Sequence, residues 1–123
     1  MPNLLLRERI RSKELKNRVT SPEKAARFVK DGMTLGIGAA PSSACPKTFF
    51  TALAKELKDN GKITLLTGGP VPYEVDGLLT EEGIYERRFG QSDNKQILDA
   101  ANDRSIAVID TRTGILPNKV ING

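Results

Sequence analysis

The residues best placed to do chemistry lie in two glycine-bearing stretches, LGIGAAPSSACPK over positions 35–47 and LTGGPVP over positions 66–72. In each, an apolar run ends in glycine: Gly36 and Gly38 in the first, Gly68 and Gly69 in the second. Glycine lets backbone amides approach a ligand closely, and the first stretch leads into a helical pattern whose N-terminus attracts negative charge. The chemistry on offer is the holding of an anion, either a phosphate or a carboxylate. A plain chain reversal would use the same glycines. The first stretch lacks the Gly-Lys-Ser/Thr of a Walker loop, and Pro41 stands where a dinucleotide fingerprint has its third glycine. Lys47 can clamp an anion or sit solvated in a first helical turn. Arg87 and Arg88 can pair with an anion or simply make a polar strand end. Cys45 is a nucleophile by residue type, but no base accompanies it and an inert small hydrophobe fits equally.

Composition removes other chemistries. The chain has no histidine, so Ser–His–Asp and Cys–His catalysis cannot be assembled within it. One cysteine without histidine cannot fill a zinc shell, no carboxylate cluster suggests magnesium, and no metal site is expected. That cysteine also leaves no internal disulfide. The net charge of +4 is modest, and much of it lies in Arg7, Arg9, Arg11, Lys13, Lys16 and Arg18, interleaved with Glu8 and Glu14. This reads as a solvated face. With four Phe, two Tyr and no Trp, the stacking residues of a nucleic-acid reader are sparse, and no nucleic-acid partner is expected. No apolar run approaches the roughly 20 residues of a membrane span. Leu4 to Leu6 is too short for a signal peptide, so a cytoplasmic location is expected.

The elements that must position these residues follow from periodicity. The 123 residues suit a single domain, with residues 1–31 as a helical lead-in. A helix is predicted from about Asn3 to Arg18, with Leu6 and Ile10 on one side. A second begins either at a Thr20–Glu23 capping box or at Ser21 before Pro22, with Gly32 as its stop. Then come a strand over Met33 to Ile37, the first glycine stretch, and a helix from about Pro46 to Lys58 burying Phe50, Leu53, Ala54 and Leu57. KITLLTGG, IYERRF and SIAVID read as further strands, alternating with helices in EVDGLLTEEG and DNKQILDAAN. Such alternation implies an α/β fold, an open, mostly parallel sheet with flanking helices joined by right-handed crossovers. Ligands of such sheets bind beyond the carboxyl ends of the strands, which is where both glycine stretches fall.

Read in order, ERIRSKELKNRV, SPEKAARFVKDGMTLGIG, CPK with ALAKEL, ITLLTGGP with EVDGLL, and RR with DNK resemble the N-terminal part of the acetyl-CoA hydrolase/transferase family. These are family I coenzyme A transferases, which include acetate, succinate and 4-hydroxybutyrate enzymes. The resemblance runs in one register over nearly the whole chain. It implies that Gly36, Pro46 and Lys47 shape an acyl or carboxylate pocket, with Gly38 lining it and Thr67 and Gly68 near it. It also places Arg88 at a strand end as a substrate-binding residue and Asp76–Gly77 on the following helix, where Asp76 caps or anchors. The chain departs from the family pattern at Ala39, Ala40 and Ala44, where glycines and an aromatic are usual.

The resemblance implies no covalently bound cofactor. It implies a coenzyme A thioester as substrate of the complete enzyme, with acyl-CoA and a small carboxylate as ligands. The family's catalytic glutamate lies in the C-terminal half, so no catalytic residue is expected here and the isolated chain is expected to be inactive. A C-terminal half or a homo-oligomer is the implied partner, covering an open sheet edge. Two other readings stay open: a non-catalytic binding or subunit-interaction module with this half-fold, and a small phosphate-ligand domain using the Gly36 loop.

Overall fold

Four short runs form one sheet because each is bracketed by turn residues and too brief for a helix. The computed structural model describes residues 8–38, 45–111 and 114–122. In it, β1 (Thr34–Ile37), β2 (Ile63–Thr67), β3 (Tyr85–Phe89) and β4 (Ala107–Ile109) pair in the order β1-β2-β3-β4, every pair parallel. The helices are α1 (Lys13–Lys16), α2 (Pro22–Ala26), α3 (Lys47–Leu57), α4 (Asp76–Glu81), α5 (Lys95–Asn102) and α6 (Leu116–Asn122). The open parallel α/β sheet expected from the alternation is what forms.

A parallel sheet whose strand order follows the chain makes every crossover step the same way. Right-handed crossovers then place α3, α4 and α5 on one face. α2 packs on α3, α3 on α4, and α4 on α5, giving a continuous helical layer. Leu35, Ile37, Ile63, Leu65, Tyr85 and Val108 meet Phe50, Leu53, Ala54 and Leu57 of α3, Leu79 of α4, and Ile97 of α5. The expected buried face of α3 is therefore correct. Side chains such as Leu53 and Ile97, fully buried, each contribute about 1.5–3 kcal/mol relative to exposure.

Three local expectations change. The long N-terminal helix does not run through: Ser12 is extended at φ −73° and ψ 123°, and helix resumes only as α1. No residue of α1 is buried, so this charged segment has no apolar stripe to hold it against the cost of nucleation. Residues 3–7 of that expected helix lie outside the described residues. Of the two starts for α2, Ser21 wins: its hydroxyl accepts the Lys24 amide at 3.2 Å, with Pro22 in the first turn. Gly32 does not stop α2, which already ends at Ala26. Instead, at φ +76°, it turns the chain into β1 and donates its amide to the Lys62 carbonyl at 2.8 Å.

β3 carries an irregularity that decides its chemistry. Ile63 pairs with Tyr85 and the next residue, Thr64, pairs with Arg87, so Glu86 is the extra residue of a bulge. In regular alternation Tyr85 and Arg88 would point to opposite faces. The bulge resets the alternation, and both side chains turn into the core.

Candidate functional site at the strand ends

The carboxyl ends of the strands lie side by side. Ile37 pairs in register with Thr67, so Gly38 and Gly68 leave adjacent strands at the same level. The Gly90 amide, one residue past β3, donates to the Ile109 carbonyl at 3.0 Å and extends the row toward β4. Gly36, Gly38 and Gly68 are exposed. A methyl group built on any of them, or on Gly69, would touch no described atom. Nothing in the described packing requires glycine there. Gly90 differs: at φ +100°, its Cβ would lie 2.3 Å from the Thr67 carbonyl oxygen.

The remaining sequence-predicted residues are positioned but already engaged. Thr67 is buried, and its hydroxyl donates to the Gly69 carbonyl at 2.7 Å, tightening the β2 exit. Lys47, at the start of α3, is exposed and pairs with Glu74 at 2.9 Å, tying the helix after β1 to the loop after β2. That hydrogen bond holds the Glu74 carboxyl below the usual carboxylate range. Cys45 is half-buried, and desolvation raises its thiol above the ordinary value, which keeps it protonated at neutral pH. Ala39, Ala40 and Ala44 lie outside the described residues.

Arg88 is fully buried against Asp76, also fully buried. The guanidinium Nε donates to Asp76 Oδ1 at 2.8 Å and Nη2 to Oδ2 at 3.1 Å. The Tyr85 hydroxyl donates to Oδ1 at 2.8 Å, and the Ser92 hydroxyl to Oδ2 at 2.6 Å. Arg88 also bonds the Phe89 carbonyl through Nη1 and the Gln91 carbonyl at 3.3 Å through Nη2. Burial, reinforced by the Asp76 charge, pushes the Tyr85 phenol well above its usual range. Asp76 does not cap α4. It anchors the helix to β3 and fixes the 90–92 turn beside the β2 exit.

Tyr85, Gly90 and Ser92 went unnoticed in the sequence. Asp76 within the otherwise apolar VDGLL was the available signal, since a carboxylate there needs a buried partner. At the strand ends, a cleft of about 390 Å³ is lined by Pro70, Gly90, Ser92 and Asp110 among others. A larger one, about 640 Å³, opens on the opposite side of the sheet, away from the helical layer.

No family model matches the chain. Over 106 residues it is 33% identical to the succinyl-CoA:acetate CoA-transferase of Clostridium kluyveri, a match taking in 84% of this chain and 20% of that protein. The acyl-CoA transferase YdiF of Escherichia coli O157:H7, solved as the apoenzyme, superposes with a TM-score of 0.68 at 20% identity over 79% of this chain and 21% of that one. Its thioester complex with CoA gives a TM-score of 0.66 at 18% identity, over 79% and 22%. At these identities the structural likeness establishes the fold alone. Likeness of sequence and of fold together make the chain a partial-length relative of the family I coenzyme A transferases, spanning about one fifth of the proteins it matches.

Proposed function

We propose that this chain forms part of an acyl-CoA:carboxylate CoA-transferase, or of the sibling acetyl-CoA hydrolase type, and contributes one wall of the acyl and carboxylate pocket. The observation that carries the reading is the 33% identity to a succinyl-CoA:acetate CoA-transferase over most of the chain. The strand ends fit it, because Gly38 and Gly68 are exposed where β1 and β2 end and a ligand can approach, whereas Gly36 lies within β1, paired with Leu66. In this reading amides at the β1 and β2 exits meet the substrate carboxylate. Thr67 and Arg88 hold the exits in place from beneath rather than reaching the ligand. Lys47, held by Glu74, braces the rim, and a coenzyme A thioester is the substrate of the complete enzyme.

The catalytic carboxylate comes from elsewhere, from a C-terminal half or an associated chain. The purified chain, given succinyl-CoA and acetate, should show no transfer of CoA. Measurable turnover by the isolated chain would overturn that part of the reading. The pocket role is tested in a hybrid in which this chain replaces the matched segment of the Clostridium kluyveri enzyme. There Gly68→Val should raise KM for acetate about tenfold, since a side chain would intrude on exposed backbone. An unchanged KM would contradict the assignment.

A second reading, a non-catalytic subunit-interaction module, is favoured by the internal commitment of the Thr67 and Arg88 polar groups. It predicts a folded hybrid without CoA transfer.

A further inference from the structure

Ser92 lines the cleft at the strand ends, yet its hydroxyl is already committed to the core. It donates to Asp76 Oδ2 at 2.6 Å and accepts the Asn94 amide at 3.3 Å, at the point where the Asn94 side chain caps α5. The single hydroxyl proton goes to a fully buried carboxylate. A hydroxyl so engaged is neither a free nucleophile nor an open donor for a ligand. Its effect on the cleft has to run through the turn that carries it.

That turn, residues 90–92, is held from three sides. The Gly90 amide donates to the Ile109 carbonyl at 3.0 Å, the Gln91 carbonyl accepts from Arg88 Nη2 at 3.3 Å, and Ser92 hangs on Asp76. Held there, Gly90 lies against the last residue of β2: a methyl group on it would come within 2.3 Å of the Thr67 carbonyl oxygen and 3.1 Å of Oγ1. The same Thr67 hydroxyl donates to the Gly69 carbonyl at 2.7 Å. A continuous run of contacts therefore joins Ser92 to the backbone where β2 ends.

We propose that Ser92 is a positioning residue: by drawing the 90–92 turn onto Asp76 it presses Gly90 against Thr67 and sets the place of the Gly68 backbone at the pocket wall. The role rests on the transferase reading above, in which that backbone meets the substrate carboxylate. Without the hydroxyl, two attachments of the turn remain and Gly90 retreats from Thr67. The Asp76–Arg88 pair keeps its own two hydrogen bonds, so the fold survives while the exit loosens. Displaced backbone binds a carboxylate more weakly in the ground state and the transition state alike, which raises KM and spares kcat.

Two measurements test this. In the full chain, Ser92→Ala should speed amide hydrogen exchange at Gly90 by at least about tenfold, with Leu65 in the middle of β2 unchanged. In the hybrid, Ser92→Ala should raise KM for acetate about tenfold with kcat within about twofold, and Ser92→Thr, which restores the hydroxyl, should bring KM back. A merely structural serine would lower the active fraction instead, so a fall in kcat at unchanged KM overturns the proposal. Unchanged exchange at Gly90 also overturns it, as does a threonine variant that behaves like alanine. Gly68→Val separates this failure from that of the pocket: if it raises KM and Ser92→Ala does not, the positioning role falls and the pocket stands. If neither raises KM, the pocket reading falls and takes the role with it. A folded hybrid without CoA transfer overturns the transferase reading, and the role with it.

Discussion

At the scale of single residues, the Asp76–Arg88 pair carries the largest stake. Both side chains are fully buried, and the carboxylate accepts from three different residues. Removing one partner strands an uncompensated charge, so Asp76→Leu or Arg88→Met should each cost about 3–5 kcal/mol. The double variant should cost clearly less than the sum, a coupling that urea unfolding of the four chains measures. Additive losses would mean that the pair is not a unit. Tyr85 gives this cluster a pH dependence. An unfolded tyrosine ionises near pH 10, whereas Tyr85 in the fold holds its proton well above that. Its contribution is complete below about pH 10, and above it the unfolded chain releases a proton that the folded chain retains. Stability therefore falls as pH rises from there toward the folded value. Tyr73 is also raised, chiefly by its hydrogen bond to Glu81, but it is exposed and should ionise while the chain stays folded. Tyrosinate absorbance should rise in two steps, the second coinciding with loss of circular dichroism. A single step with the fold intact would count against the buried network.

At the scale of elements, the strand exits depend on close backbone contact. Gly90→Ala should destabilise the chain by about 1–3 kcal/mol, because the residue has positive φ and its Cβ would strike the Thr67 carbonyl. Thermal unfolding of the variant checks this, and an unchanged midpoint would mean that the β2 and β3 exits move apart freely. Most elements were legible because α3 and the strands show strong periodicity and turn residues mark their ends. Other features were not. The charged lead-in reads as helix by propensity, yet its backbone is extended at Ser12 and none of Lys13–Lys16 is buried, so its described residues do not form one continuous helix. Arg87 and Arg88 are the same residue type in adjacent positions, and which turns inward depends on the bulge at Glu86, a property of pairing with β2. For the candidate site, the sequence places Gly38 and Gly68 where β1 and β2 end, and the fold has them there, with Gly36 inside β1. It could not see that the groups of Thr67 and Arg88 were committed internally, because those bonds join residues from different elements.

For the whole molecule, strand order explains where the helices and the strand exits lie. Sequential parallel pairing puts α3, α4 and α5 on one side and gathers the glycine exits at one edge. On the other face, among the described residues, α6 shares a cleft with Leu66 and Phe89. The chain spans about one fifth of the transferases it matches, and the proposed function assigns activity to a larger assembly. The most direct measurement is CoA transfer from succinyl-CoA to acetate by the hybrid carrying this chain in place of the matched segment. The account predicts a folded hybrid that retains transfer above the level of the enzyme with the segment deleted. A hybrid that folds with the native secondary structure and transfers no CoA would contradict it.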